Sequence, residues 1–134
     1  MPLVRIDLPK GKSAEFRRQI SHGIQAALVE TFDVPEADLF QIISEHAAEN
    51  PILHAPSYLG IDYSDELIII QLTVSDTRSL AQKRRLFQRI VERLAGAPGL
   101  RPEDVFINLV EVKKENWSFG RGLAQYAPSL AADA

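Results

Sequence analysis

An α+β fold is predicted for this chain: two tandem β-α-β units joined into one four-stranded mixed sheet with both helices on one face. Two observations predict it. The hydrophobic pattern alternates between a period of two and a helical period, in the order strand, helix, strand, linker, strand, helix, strand. The halves also resemble each other: "FRRQI" at 16–20 lies 67 positions before "KRRLF" at 83–87, and "VPEADLFQIISE" at 34–45 is echoed by "RPEDVFINLVE" at 101–111. The 134 residues, 46% of them hydrophobic, are enough for a single domain with its own core, residues 1–134, made of pseudo-repeats at about 2–65 and 66–134.

The elements follow in order. "LVRIDL" at 3–8 alternates apolar and polar residues and predicts a strand. "PKGKS" breaks it, and Ser13 is placed to cap a helix. Phe16, Ile20, Ile24, Ala27, Leu28 and Phe32 form the apolar stripe of that helix over 14–32. "DVPEAD" turns the chain into a strand at 39–46, and 47–64 read as a loop with room for a short hairpin. "ELIIIQLTVS" at 66–75 is the most apolar strand. A second helix is expected over 79–95, with Leu80, Leu86, Phe87, Ile90, Val91 and Leu94 as its stripe, and the last strand over 105–112. Helices on one face leave the other face of an apolar sheet bare, so it is expected to be covered by other subunits in a symmetric oligomer.

Composition excludes several functions. A net charge of −3 gives no reason to expect nucleic acid or an anionic membrane as partner. With no cysteine there is neither a disulfide nor a thiolate metal site, which fits a reducing compartment. The longest apolar run is Leu67–Ile70, and charges fill the first fifteen residues, so neither a membrane span nor a signal peptide is predicted and the cytoplasm is the expected location. His22, His46 and His54 lack metal-ligand spacing, so no metal is expected. "KRR" at 83–85 reads as a solvated helix face.

The segments "MPLVRIDLPKGKS", "FDVPEADLFQIISEH", "LTVSDTRSLAQK" and "RPEDVFINLVEVKKENWSFGRG", in this order and spacing, make the chain resemble the tautomerase superfamily, and within it the subgroup around malonate semialdehyde decarboxylase. The resemblance spans essentially the whole chain. It implies a homotrimer and an enzyme that uses an amino-terminal proline, with no cofactor, on a small 2-oxo or 3-oxo carboxylic acid. Keto–enol tautomerisation is the expected reaction, with decarboxylation or hydration related to it. A non-enzymatic trimeric module that binds a partner protein remains the alternative, because fold alone does not fix function.

Pro2 is the expected catalytic group. Removal of Met1 would expose a secondary amine, whose charged form burial and nearby cations disfavour. A lowered pKa makes a base near neutral pH, and a high one makes a proton donor. Arg78, between the third main strand and the second helix, has a fork that matches a carboxylate. Relatives that decarboxylate carry two arginines in this turn, and here Asp76 stands in place of the first. One cation holds one carboxylate, so tautomerisation of an enolisable 2-oxo acid is expected to outrun decarboxylation, with Arg5 the first candidate for any second cation. Asp38 matches an aspartate that the resemblance places near the amine, where it raises the amine's pKa; the alternative is a turn aspartate, as read for Asp104. Leu39 follows where relatives often carry arginine. Trp117, Phe119 and Tyr126, in the Gly-punctuated stretch "ENWSFGRGLAQYA", are expected either to wall the pocket or to fill a subunit interface, and Arg121 to contact a neighbouring subunit.

Overall fold

A computed structural model describes residues 1–128. The first unit runs β1 (Leu3–Pro9), α1 (Ala14–Phe32), β2 (Gln41–His46), and the second β5 (Ile68–Ser75), α2 (Leu80–Gly96), β6 (Val105–Val112); a two-stranded hairpin, β3 (Ser57–Tyr58) and β4 (Ile61–Asp62), lies between them. The sheet order is β2-β1-β5-β6. Each unit contributes a parallel pair, Ile6 beside Ile43 and Ile70 beside Ile107, and the two pairs meet through antiparallel β1 and β5, with Ile6 opposite Ile70. The result is the expected α+β fold with a four-stranded mixed sheet and two helices.

Local chemistry sets the helix starts. Ser13 Oγ accepts the Phe16 N–H at 3.0 Å. Ser79 and Gln82 form a reciprocal capping box, which satisfies two of the free N–H groups of the first turn of α2. Strand alternation directs Val4, Ile6 and Leu8 of β1 and Ile68, Ile70, Leu72 and Val74 of β5 to one side, where they form a core with Ile20, Ile24 and Leu28 of α1 and Leu86, Ile90 and Leu94 of α2. The helices touch where Gly23 meets Leu94; a Cβ on Gly23 would lie 3.0 Å from Leu94 Cδ2. At their solvent edge Glu30 of α1 binds Arg89 and Arg93 of α2, and these hydrogen bonds hold its carboxyl down to about 2.

The caps Ser13 and Ser79 lie 66 positions apart, as do the buried pairs Ile20/Leu86, Ile24/Ile90 and Leu28/Leu94. The "FRRQI" and "KRRLF" likeness, at 67, is therefore one residue out of step with the packing. Three other expectations shift. Leu39 and Phe40 belong to the turn before β2, held by the bonds from Asp38 N–H to Pro35 O and from Leu39 N–H to Ala37 O, and both are half exposed. Residues 66–67 turn on Ser64 before β5 begins. Leu80, the first residue of α2, is exposed.

The helix-free face of the sheet is mixed and not apolar throughout. One row across it reads Ile42, Arg5, Gln71, Asn108, with Gln71 Nε2 donating to Asn108 Oδ1 at 3.0 Å. Ile42, Phe106 and Val110 are its exposed apolar members. None of the described helices is long and apolar enough to cross a membrane.

Asp104 does more than close a local turn. It is 1% exposed, and it accepts hydrogen bonds from Ser64 N–H at 2.8 Å, Ser64 Oγ at 2.5 Å and Arg101 Nη1 at 3.1 Å. Burial pushes its pKa up, but the Ser64 bonds and the Arg101 charge together hold it below the ordinary 3.8. Asp104 thereby ties the segment entering β5 to the turn entering β6. Asp104→Ala is expected to lower stability by about 1–2 kcal/mol in chemical denaturation, since it removes the hydrogen bonds to the half-buried Ser64 and to Arg101. Because the folded pKa is depressed, the wild-type advantage is full above the unfolded value and disappears as pH falls through the folded one; the two chains should differ least at the most acidic pH at which both still fold.

Candidate active site

The pairing of β1 with β5 sets the site. Leu3 lies opposite Thr73, so Met1 and Pro2 extend beside Val74 and Ser75 at the carboxyl end of β5. Val4 N–H donates to Phe40 O at 3.0 Å, which brings the turn carrying Asp38 to the same place. That turn is steadied from α1, where Gln25 Nε2 donates to the carbonyls of Glu36 and Asp38. Pro2 is buried and Asp38 half-buried. The pocket at the chain's start has a volume of about 360 Å³ and is lined by Met1, Ser75, Thr77, Arg78, Lys114 and Tyr126.

Arg78 is held in place rather than swinging in solvent. Its Nη2 donates to the carbonyl of Phe32 at 2.8 Å, its Nη1 donates to Thr77 Oγ1 at 3.0 Å, and the guanidinium carbon lies 5.0 Å from the Phe32 ring centre. A carbonyl at the C-terminal end of α1 and an aromatic face both favour a cation there. Each terminal nitrogen keeps a further N–H for a ligand. Asp76 is exposed, and its N–H is used on Val112 O at 2.9 Å, which joins the ends of β5 and β6.

The aromatic residues form one stack. Trp117 and Phe119 lie nearly parallel with centroids 5.5 Å apart, and Tyr126 meets Phe119 edge-on at 4.8 Å. Trp117 Nε1 donates to the buried Ser75 Oγ at 3.2 Å, which anchors the stack to the end of β5. The loop between them closes through Gln125, which accepts the Phe119 N–H and donates to Gly120 O. Gly120, Arg121 and Gly122 all have positive φ, a run that two glycines make tolerable. Tyr126 reaches the pocket lining; Trp117 and Phe119 stand behind it, half-buried and half-exposed respectively. Arg121 is exposed at the turn.

The α-amine at the chain's start has its pKa lowered from 8.0, first by burial and then by Arg78, with Lys114 adding to the effect and Asp38 opposing it. Pro2, Asp38, Arg78 and Tyr126 are thus brought together. Arg5 is not. It points from β1 onto the helix-free face, between Ile42 and Gln71, and at about 3.3 Å per residue its backbone lies about 13 Å from Met1. Lys114, Ser75 and Thr77 were not singled out in the sequence. The only signal for the lysine was the basic pair Lys113–Lys114 after the last strand, which does not say which member reaches the pocket. A larger open groove of about 910 Å³ runs along α1 and β2, but Arg17, Arg93 and Glu30 at its margins are already in ion pairs, Arg17 with Glu45 and Arg93 with Glu30.

Known proteins share this fold and much of this sequence. A family profile described as "Tautomerase enzyme" matches residues 38–120, and a second of the same description matches residues 2–57. The chain is 38% identical over 125 residues to the probable tautomerase YusQ of Bacillus subtilis, spanning 93% of this chain and 98% of that one. It is 32% identical to the probable tautomerase YrdN of the same organism, over 94% and 96% of the two chains. The crystal structure of FG41 malonate semialdehyde decarboxylase, inhibited by 3-bromopropiolate, superposes with a TM-score of 0.84 at 36% identity, over 98% of this chain and 97% of that one. A symmetric trimer of fused 4-OT shares the fold, with a TM-score of 0.73 at 18% identity, over 90% and 94%.

The depressed amine is directly measurable. In an NMR titration of the α-amine of the chain with Met1 in place, the midpoint should fall below 8.0. Arg78→Gln should move it back up only in part, because burial persists. A midpoint unchanged by the substitution would mean that the guanidinium does not act on the amine.

Proposed function

The chain belongs to the tautomerase family, and on that premise we propose that it is an enzyme using Pro2, freed by removal of Met1, for proton transfer on a small 2-oxo or 3-oxo carboxylic acid. The observation that carries this reading is the convergence of the chain's start, Arg78, Lys114 and Asp38 at the end of β5. Pro2 is already buried, so its freed nitrogen would be in a partly buried, cation-flanked environment like that of the Met1 amine. Both influences favour the neutral amine, a base.

The chemistry follows from that charge state. Arg78 holds the substrate carboxylate, which fixes the enolisable carbon beside the ketone near the amine. The amine takes the α-proton, and the C–H electron pair moves into the enolate, whose oxygen gains the negative charge. Returning the proton to oxygen gives the enol, and the reverse order gives the ketone. The bound carboxylate offsets the cations, and Asp38 favours the protonated amine, so the same group can return the proton it took. Decarboxylation and hydration are related reactions of the protonated amine acting as a proton donor. The aromatic stack, anchored on Ser75 and reaching the lining at Tyr126, supplies the apolar side of the pocket.

Assembly as a homotrimer belongs to the same proposal. Ile42, Phe106 and Val110 on the helix-free face supply apolar surface for it, and the fused 4-OT relative of like fold is a trimer. Sedimentation equilibrium should give a particle three times the 15.0 kDa chain mass. A stable monomer at micromolar concentration would rule the trimer out.

Two measurements on the natively produced protein test the mechanism. Intact mass should show Met1 absent. Pro2→Ala, which keeps a free amine but loses the ring, should lower kcat about 10²–10⁴-fold with phenylpyruvate or malonate semialdehyde as substrate. Retention of Met1 would leave the partner-binding module as the better reading, and full activity in Pro2→Ala would remove Pro2 from the mechanism.

A further inference from the structure

We propose that Lys114 is the second carboxylate-binding cation of this site, acting with Arg78 on the same substrate carboxylate and filling the role that Asp76 denies to the turn after β5. The inference rests on the enzymatic reading above and deepens it by assigning the anion grip of the pocket.

The argument starts from which charges are already paired. Lys12 pairs with Glu66, Arg17 with Glu45, Lys83 with Glu111, Arg93 with Glu30 and Arg101 with Asp104. Among the described residues no carboxylate forms an ion pair with Arg78 or with Lys114, and both line the one pocket that also holds the chain's start. Two cations left unpaired on the wall of a single small pocket, one of them anchored on a backbone carbonyl, make a place for an anion. Lys114 opens a 3-10 turn, Lys114–Asn116, directly after β6, and its carbonyl accepts the Trp117 N–H at 3.4 Å. The backbone that presents the lysine is therefore continuous with the aromatic stack. Lys114 also acts on the terminal amine through space, as Arg78 does.

The other half of the molecule provides an internal contrast. A second pocket, also about 360 Å³, is lined by Pro9, Ala48 and Leu67 among others, which stand 66 positions from Ser75, Lys114 and Met1 of the first. There the position of Lys114 is an alanine. The counterpart of Arg78 is Lys12, already neutralised by Glu66. The counterpart of Asp38 is Asp104, already bound by Ser64 and Arg101. The same backbone frame thus carries two unpaired cations in one place and, among the described residues, a single one in the other, Lys10, with Asp65 on the same lining. Arg5, the sequence-based candidate for a second cation, faces away from the first pocket.

The test compares wild type, Lys114→Gln, Lys114→Arg and, as a control, Lys113→Gln. Malonate binding is measured by calorimetry, and steady-state kinetics with phenylpyruvate and malonate semialdehyde are followed against pH. Lys114→Gln should weaken malonate binding and raise KM about 10- to 100-fold, with kcat nearly unchanged, as for a lost charge-assisted contact. It should also move the acidic limb of kcat/KM to higher pH, because Lys114 lowers the amine's pKa and its removal raises it. Lys114→Arg should restore both, and Lys113→Gln should alter neither. Unchanged malonate binding and an unchanged limb in Lys114→Gln would overturn the assignment, as would a fall in kcat with KM and binding intact, which would place the lysine on the reacting oxygen instead. Loss of activity in Pro2→Ala beside an unaffected Lys114→Gln would reject this assignment alone. If no variant and no wild type turns over substrate, the enzymatic reading fails, and malonate binding still decides the role of Lys114.

Discussion

The antiparallel pairing of β1 with β5 is the constraint on which the site depends. It places Leu3 against Thr73 and so lays the chain's start beside Ser75, at the end where β5 gives way to Arg78. The parallel neighbours bring in the rest. The bond from Val4 N–H to Phe40 O delivers Asp38, and the bond from Asp76 N–H to Val112 O delivers the end of β6, with Lys114 and Trp117 just beyond. A slip of one residue between β1 and β5 would turn Val4, Ile6 and Leu8 out of the core. The hydrophobic pattern that stabilises the sheet therefore also fixes the register of the pocket.

Charge at this end of the sheet is arranged by what is left unpaired. Seven of the fifteen lysines and arginines are matched by carboxylates, including the two of the Glu30 clamp between the helices. Arg78 is instead held by a carbonyl and an aromatic ring, which fix its position without neutralising it. A neutral anchor leaves the full charge available to a ligand and to the amine. Asp38 provides the opposing influence, and the state of the amine is set by the balance between burial and cations on one side and that single carboxylate on the other.

The aromatic residues after β6 have a structural duty as well as a place at the pocket. Trp117 hydrogen-bonds Ser75, stacks on Phe119, and through it positions Tyr126 at the lining. The positive φ values at Gly120, Arg121 and Gly122 let the chain fold back on itself over this short distance. Of the three aromatics only Tyr126 lines the pocket, and Trp117 and Phe119 support it through the stack.

What the sequence determined by itself was whatever repeats locally: the span of α1 and its cap at Ser13, the alternation of β1, and the order of strands and helices. These follow from periods and caps that need no partner elsewhere in the chain. It also marked Pro2, Asp38, Arg78 and Tyr126, largely through a resemblance carried by motifs. Tertiary structure decided which of these residues meet. Arg5 and Val4 are adjacent in sequence, yet pleating sends them to opposite faces of the sheet. Lys113 and Lys114 are equivalent in composition, and only the turn after β6 puts the second at the pocket. Asp104 read as a turn residue because its partner Ser64 lies 40 positions away. Residues distant in sequence become neighbours only through strand pairing and burial, and side-chain chemistry alone does not encode those distances.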